Sequence, residues 1–565
     1  MFLIIKGVTI MPKMTGAKFL AETLNAYNVT HFFFMPVIIP EAMPELEKLG
    51  IKRIMAHAEK PAAYMADGYS RVAKKAGICG AQSVGGMNLA AGLQDAYLAC
   101  SPVIALTGRL PQIQQNRNAY QEVDHINPFS AVTKFNTLVN TIDELPLTLR
   151  QAFRESTSGT PGPSHIDLQG ITGEVITEIS DFEIIAEEQY IKIPPFRPEP
   201  ELSSIIETIK LLSQAKKPVI IAGGGTNLSG ARKELIMLAE KLQIPVATSL
   251  NAKEVFPYNH PLAIGVPGTY SRACTNKIIS ESDLVFFIGS HTGSQITNNW
   301  RLPKKGTKVI QLDINPSELG RSYPITIGLQ GDVKASLAKI ISNINQNLNN
   351  SEWVNQIKKI VNNWKIEISP LLNSEEIPMR PERLCKELTS SIPTDTILVS
   401  DTGHSGIWTG AIMDLKNENQ SYIRCAGSLG WALPASIGAK CAAPERPVIC
   451  FTGDGGAWYH LTELETAVRN NINTIWIINN NSSLNQERHL NEEIFGGPKP
   501  GSDQLWKFNQ GNFAEIAKLM GCTGIEVNKP SEIALAVEKA IESGKPSVID
   551  VKTNINGIAP TAWDG

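Results

Sequence analysis

Ten short apolar runs recur along this 565-residue chain, with helically spaced stretches between them. Runs such as "PVIALTG", "DLVFFIGS", "KVIQLDI" and "PVICFTG" are rich in β-branched and aromatic residues and end in Gly or Asp or next to them. Such a run suits a strand covered on both faces, and a helical return suits a parallel neighbour. The alternation predicts an α/β fold of doubly wound parallel sheets. Two composition breaks divide it. "IKIPPFRPEPEL", near 191–202, holds four prolines and reads as an extended linker. The region at about 345–385 is polar and reads as helix with loops. Three domains are therefore expected, at 11–185, 200–345 and 378–560. The first and third each place a Gly-rich turn after a strand, which predicts two related folds.

Composition narrows the partners. The chain is 42% hydrophobic and 19% charged, with net charge −3 and no basic block. Nucleic acid and an anionic membrane surface are excluded as main partners. The eight cysteines are scattered without a CxxC pair, so they read as buried thiols of a reducing compartment. The opening "MFLIIKGVTIMPKM" is too short to span a membrane and has no small-residue cleavage site, and Met11 or Met14 is an alternative start. A cytoplasmic protein is expected.

The stretch "PVICFTGDGGAWYHLTEL" carries the first chemistry. A strand-like run ends in Gly453-Asp454-Gly455, and apolar residues at Leu461, Leu464, Ala467 and Val468 predict one helix after the turn. Open α/β sheets bind ligands at the carboxyl ends of strands. A carboxylate between glycines can hold a hard cation, and that cation a phosphate. After Gly455 come 24 residues and then Asn480-Asn481, so Asp454 and Asn481 stand 27 apart. A strand–helix–strand unit fits that interval and returns Asn481 beside Asp454. Two oxygen ligands, a nearby carbonyl and a diphosphate make a site that suits magnesium.

GDG-x24-NN in this context resembles the diphosphate-binding motif of thiamine diphosphate enzymes, and the likeness to their acetolactate synthase-like branch covers nearly the whole chain. The resemblance implies a pyrimidine-binding domain, a central Rossmann-like domain and a diphosphate-binding domain, in that order. It implies that Asp454 and Asn481 ligate Mg2+, that Ser483 adds a backbone carbonyl, and that Gly453, Gly455 and Gly456 let the backbone approach the diphosphate of the cofactor. "IMAHAEKPAAYMADGYSR" resembles the segment whose glutamate, here Glu59, shares a proton with the cofactor's aminopyrimidine. "AGSLGWALPASIGAK" resembles the segment beneath the cofactor. Leu429 is then the apolar prop between its rings, and the Gly427 carbonyl meets its amino group. In the family this glutamate serves the cofactor of another subunit, which implies a homodimer or tetramer with active sites at the interface.

The chain also departs from the family. In "HFFFMPVIIPEAM", Phe34, Val37 and Ile38 replace glycines, and their bulk is expected to narrow or reshape the substrate pocket. "QSVGGMN" replaces the usual "TSGPGATN". "NAYQEVDHINPFSAVTKF" keeps a family look, with Gln121 matching the glutamine that faces the reacting carbon. His31, His404, His460 and Asn485 lie beside family active-site segments and are candidates for proton handling. The Gly/Pro-rich stretch 492–506 is a candidate lid. In the middle domain Asp313 ends a strand where an adenine ribose binds in Rossmann folds. The flavin-binding stretch of acetolactate synthases is replaced by "GSHTGSQITNNWRLP", so FAD is expected to be absent, with a flavin as the alternative. The reading is a thiamine diphosphate- and Mg2+-dependent lyase or transferase that makes or breaks a C–C bond next to a carbonyl. Carboligation of a 2-oxo acid is favoured. Hydrolytic or acyl-transferring cleavage of a 1,2-diketone or related dicarbonyl is the alternative, and a non-catalytic cofactor-binding relative the remote one.

Overall fold

The structure is a computed structural model that describes residues 4–5, 8–9, 12–345, 350–560 and 562–563. Most of the apolar opening stretch, Met11 with it, and residues 346–349 of the polar region lie outside the described residues. The chain divides into two compact units, one of residues 1–195, 434–444 and 465–472, the other of 196–433, 445–464 and 473–565.

Three six-stranded sheets carry the fold, and every neighbouring pair within each is parallel. With each sheet's strands numbered one to six along the chain, the first and third sheets both read 2-1-3-4-6-5. The middle sheet reads 3-2-1-4-5-6, the Rossmann order. The relatedness of the first and third folds, expected from their Gly-rich turns, is thus seen in their strand order.

The first sheet, in the first unit, is built of His31–Phe34, Lys52–Met55, Gly77–Ala81, Val103–Arg109, Phe135–Val139 and Ser164–Gln169. Its core joins Phe32, Ile78, Leu106 and Ile166 to Leu20, Leu149 and Phe153 of the covering helices. Ile38 lies in this core and Phe34 packs against it, while Val37 is exposed. The expected effect on a pocket is corrected for Ile38 and Phe34, whose side chains pack in this core instead.

The second unit holds the other two sheets. The middle one runs from Pro218–Ala222 to Ile327–Gln330. The third comprises Ile397–Ser400, Ser421–Arg424, Val448–Gly453, Ile475–Asn480, Thr523–Val527 and Ser547–Lys552. Val448, Ile449, Cys450 and Phe451 are all fully buried. Each large apolar side chain so placed contributes roughly 1.5–3 kcal/mol. The helix expected after Gly453 is two helices, Asp454–Tyr459 and Glu463–Arg469, because the chain leaves helical geometry at His460. The polar region forms the helix Ser351–Leu372. All eight cysteines are free. Among the described residues no helix is long and apolar enough to cross a membrane.

Candidate active site

In a 2-1-3-4 sheet the winding direction reverses between strands one and three, and the crevice at their carboxyl ends is where such sheets bind ligands. In the third sheet those strands are Ile397–Ser400 and Val448–Gly453. A cavity of about 360 Å³ opens there. Thr402, Gly403, His404 and Ser405 line it from strand one, and Gly453, Asp454, Gly455 and Gly456 from strand three. Asn481, Ser483, Asn485 and Gln486 follow strand four, and Gly427 and Leu429 come from the loop after strand two.

Asp454 meets Asn481 and Ser483, 27 and 29 residues further along the chain, at the wall of this cavity. Asp454 is 2% exposed. Its Oδ1 accepts from the Gly455 N–H at 3.0 Å and its Oδ2 from the Ser483 N–H at 2.9 Å. Ser483 Oγ donates to Asn481 Oδ1 at 2.8 Å. Burial pushes the Asp454 carboxyl up to about 7, against those backbone donors. A cation at this carboxylate would hold it ionised. The glycines are required by neighbours. A Cβ on Gly455 would fall 2.5 Å from Leu484 Cδ2, and one on Gly456 2.5 Å from Thr452 Oγ1. A Cβ on Gly427 would meet nothing, since that position faces open space. One carboxylate, one amide oxygen and a close-approaching backbone suit a hard cation and a phosphate.

Sequence reasoning missed Asp401. It follows strand one, is 1% exposed, and ties three segments of the wall together. Its Oδ1 accepts from the N–H groups of Thr402 and Gly430 at 2.8 and 3.1 Å, and its Oδ2 from Thr452 Oγ1 at 3.0 Å. The signal was available, because "TILVSDTG" also ends an apolar run in Asp.

His404 lines the cavity, and burial pulls its imidazole down to about 4, so it is neutral near pH 7. His460 closes the helix Asp454–Tyr459. Asn485 donates from Nδ2 to the Gly557 carbonyl at 3.1 Å, and its Oδ1 is buried without a partner. Gln486 Oε1 is unpartnered too. The candidate lid begins inside the helix Asn485–Phe495 and continues through the 3₁₀ turn Ser502–Leu505.

The first unit holds the other candidates. Glu59 opens the helix Glu59–Ala73, where the helix dipole favours a carboxylate. Its Oε2 accepts from Asn88 Nδ2 at 3.1 Å. A Cβ on Gly85 would fall 2.6 Å from its Oε1, so "QSVGGMN" supplies the glycine that lets the chain pass this carboxylate. Gln121 adopts φ 61°, and its Oε1 is buried without a partner. His31 is placed elsewhere. It starts strand one, opposite Lys52, at the end of the sheet remote from the strand-two terminus that Glu59 follows. Its Nδ1 pairs with Thr30 Oγ1 at 2.9 Å, and burial pulls it down to about 4. It is a satisfied structural group and is dropped from the site.

In the middle sheet the reversal lies between Pro218–Ala222 and Leu284–Ile288, and the two turns there press together. A Cβ on Gly223 would fall 2.2 Å from the Gly289 carbonyl oxygen. Asp313 is buried and accepts from the Asn315 N–H at 2.9 Å.

Comparison with known proteins agrees with this architecture. Residues 14–127 match the profile "Thiamine pyrophosphate enzyme, N-terminal TPP binding domain". Residues 205–340 match its central domain and 401–551 its C-terminal TPP binding domain. The chain is 31% identical over 556 residues to a probable acetolactate synthase large subunit of Methanococcus aeolicus, covering 95% of this chain and 92% of that one. It is 31% identical to the corresponding protein of Methanocaldococcus jannaschii, with 95% and 92% covered. Against the acetolactate synthase isozyme 1 large subunit of Escherichia coli the identity is 29%, with 96% and 94% covered.

Proposed function

The chain belongs to the thiamine pyrophosphate enzymes, in their acetolactate synthase-like branch, and from that premise we propose that it is a Mg2+-dependent carboligase of a 2-oxo acid. The observation that carries the metal is the buried Asp454 carboxylate beside Asn481 and Ser483, in the wall of the cavity of about 360 Å³.

When bound, thiamine diphosphate supplies a carbon nucleophile that attacks carbonyl groups. The remaining work falls to this chain. Asp454, Asn481 and the Ser483 carbonyl would hold the cation, and Gly453, Gly455 and Gly456 would admit the diphosphate. Leu429 and Gly427, on the cavity wall, would seat the pyrimidine. Glu59 would hold a proton for the pyrimidine nitrogen, the acid–base help that cofactor activation needs. Because Glu59 serves a second copy of the chain in this reading, the active enzyme is a homodimer or tetramer. Gln121 Oε1 is a buried acceptor without a partner, suited to a donor on the substrate. A neutral His404 accepts a proton or a hydrogen bond at the cavity wall.

One observation favours the second reading, hydrolytic or acyl-transferring cleavage of a 1,2-diketone. Asn485 and Gln486 both line the cavity, and each carries a buried oxygen acceptor without a partner that a water's protons would satisfy. The deciding experiment supplies thiamine diphosphate and Mg2+ with pyruvate, with pyruvate and a second 2-oxo acid, or with butane-2,3-dione, and reads products by mass spectrometry. A C–C coupled product from the oxo acids supports carboligation. Carboxylate and aldehyde from the diketone alone would overturn it.

Two further outcomes are expected. Gly85→Ala places a methyl group against Glu59 Oε1, so turnover falls by about 10²-fold, the scale of a 1 Å misplacement of a reacting group. Its thermal melt and cofactor titration check that fold and binding survive. The middle domain is proposed to work without FAD, because "GSHTGSQITNNWRLP" stands where acetolactate synthases carry their flavin-binding stretch. The purified protein is expected to show no flavin absorbance between about 350 and 500 nm. A stoichiometric flavin spectrum on denaturation would overturn this.

A further inference from the structure

We propose that His125 is a positioning residue for Gln121, that it acts through Ser83 only as an imidazolium, and that it therefore sets an alkaline limit on turnover. The link to turnover rests on the carboligase reading, and the charge state does not.

The argument starts in the sheet. Inner strands of a parallel sheet are normally apolar on both faces. In the first sheet Thr107 stands opposite Asp167 and His165 opposite Asn136 on adjacent strands. Thr107 and His165 are 0% exposed, Asp167 and His125 1%. His125 reaches this group from the loop before the helix Ile126–Ser130.

Its two ring nitrogens fix its charge. Nε2 lies 2.8 Å from the Ser83 carbonyl oxygen, which can only accept, so Nε2 carries a proton. Nδ1 lies 3.1 Å from Asp167 Oδ1, a carboxylate oxygen that accepts, so Nδ1 carries one as well. A histidine that donates from both nitrogens is an imidazolium. The groups that face it agree. From the strand Ser164–Gln169, Asp167 favours the cation. His165, stacked on Phe129 at 3.6 Å, is pulled down to about 3 by burial and stays neutral, donating from Nδ1 to Asn136 Oδ1 at 2.7 Å and accepting at Nε2 from Thr107 Oγ1 at 2.6 Å. From the strand Val103–Arg109, Arg109 Nε stands 3.9 Å from Asp167 Oδ2. Asp124, on His125's own loop, adds a second negative charge. Burial opposes the charge, but the pull of Asp167 wins, and His125 is held above its ordinary range with Asp167 below its own.

From His125 the chain of contacts leads to the proposed site. It holds the Ser83 carbonyl, and Ser83 Oγ donates to the Gln121 carbonyl at 2.6 Å. Gln121 is thereby fixed in the left-handed backbone region, φ 61°. The turn is built around the ring, since a Cβ on Gly86 would fall 2.8 Å from His125 Nε2. On loss of one proton the ring keeps Nδ1–H for the charged acceptor Asp167, so a bare Nε2 lone pair then faces the Ser83 carbonyl and the tether is released. The ligand atoms of His125, His165 and Asp167 lie within 4.8 Å of one another, close enough to share a metal. Thr107 Oγ1 stands among them, 2.6 Å from His165 Nε2 and 3.3 Å from His125 Nδ1, and fills that position.

The test combines a histidine Cε1 NMR titration of the full chain with pH profiles of kcat and KM. One resonance, missing in His125→Gln, is expected to titrate above about 6.5, the ordinary histidine value. In the unmodified protein kcat should fall with the same pKa as pH rises. Asp167→Asn should lower that pKa by at least about 1 unit, because it removes an adjacent opposite charge. His125→Gln should abolish the limb and lower kcat about tenfold with KM within twofold, through misplacement of a reacting group. If either buried variant fails to fold, the exposed Asp124→Asn should still lower the same pKa, and no change there counts against the proposal. A resonance titrating below 6.5, or a limb that neither variant moves, would overturn it. So would one equivalent of Zn2+ shifting the His125 and His165 resonances together, which would make the group a metal site. If no 2-oxo acid is turned over, the functional reading fails alone, and the NMR titration still decides the charge of His125.

Discussion

Glu59→Gln is expected to keep thiamine diphosphate bound and to lose about 10²–10⁴-fold in turnover, the usual range for general acid–base assistance. The amide keeps the size and can still accept from Asn88, which now meets Oε2 at 3.1 Å. It cannot share a proton with the pyrimidine nitrogen. Binding should survive because the residues proposed to hold the diphosphate and cation are others, in the other compact unit of the chain. The measurement is hydrogen–deuterium exchange at the cofactor's reacting carbon, followed by NMR after acid quench, beside a calorimetric titration of cofactor. Slowed exchange with retained affinity supports the role. Exchange at the unmodified rate would assign cofactor activation to another residue, and lost affinity would make Glu59 structural.

Asp454→Ala should act on the other half of the problem. It removes the one carboxylate of the proposed cation site, a group 2% exposed whose oxygens accept from Gly455 and Ser483. Loss of a mere outer-shell partner costs a metal site about 10–100-fold in affinity, and loss of the anionic ligand should cost more. Thermal melts give a second reading. Ligand at 100 times Kd stabilises the folded state by about 2.7 kcal/mol, and the variant should lose that increment while its cofactor-free melt stays a single transition. Unchanged affinity for thiamine diphosphate with Mg2+ would remove Asp454 from the site.

Much of this architecture was legible because of where the strands sit. Ten of the eighteen strands in the three six-stranded sheets announce themselves as apolar runs, and each is an interior strand. An interior strand of a parallel sheet is covered on both faces, so its sequence is apolar at nearly every position. Six of the eight strands without such a signal, Lys52–Met55 and Ser421–Arg424 among them, are sheet edges. An edge has one neighbour, is partly solvated and tolerates charge. Of the interior two, Val246–Thr248 is only three residues long, and Ser164–Gln169 hides its strand character behind His165 and Asp167.

The sequence by itself determined the doubly wound α/β class and the Asp454-to-Asn481 interval, because strand burial and the length of one strand–helix–strand unit are written in local composition and spacing. It also marked Glu59 and the glycines beside the turn. Only the tertiary structure decided which polar residues meet. It moved His31 to the wrong end of its strand, sent Ile38 into the core, and gave Asp401 three segments to hold. It also assembled His125, Asp167, Thr107 and Ser83 into one hydrogen-bonded chain. Those contacts join residues from separate strands, and their protonation follows from which atoms face each other in a dry interior, which no local pattern encodes.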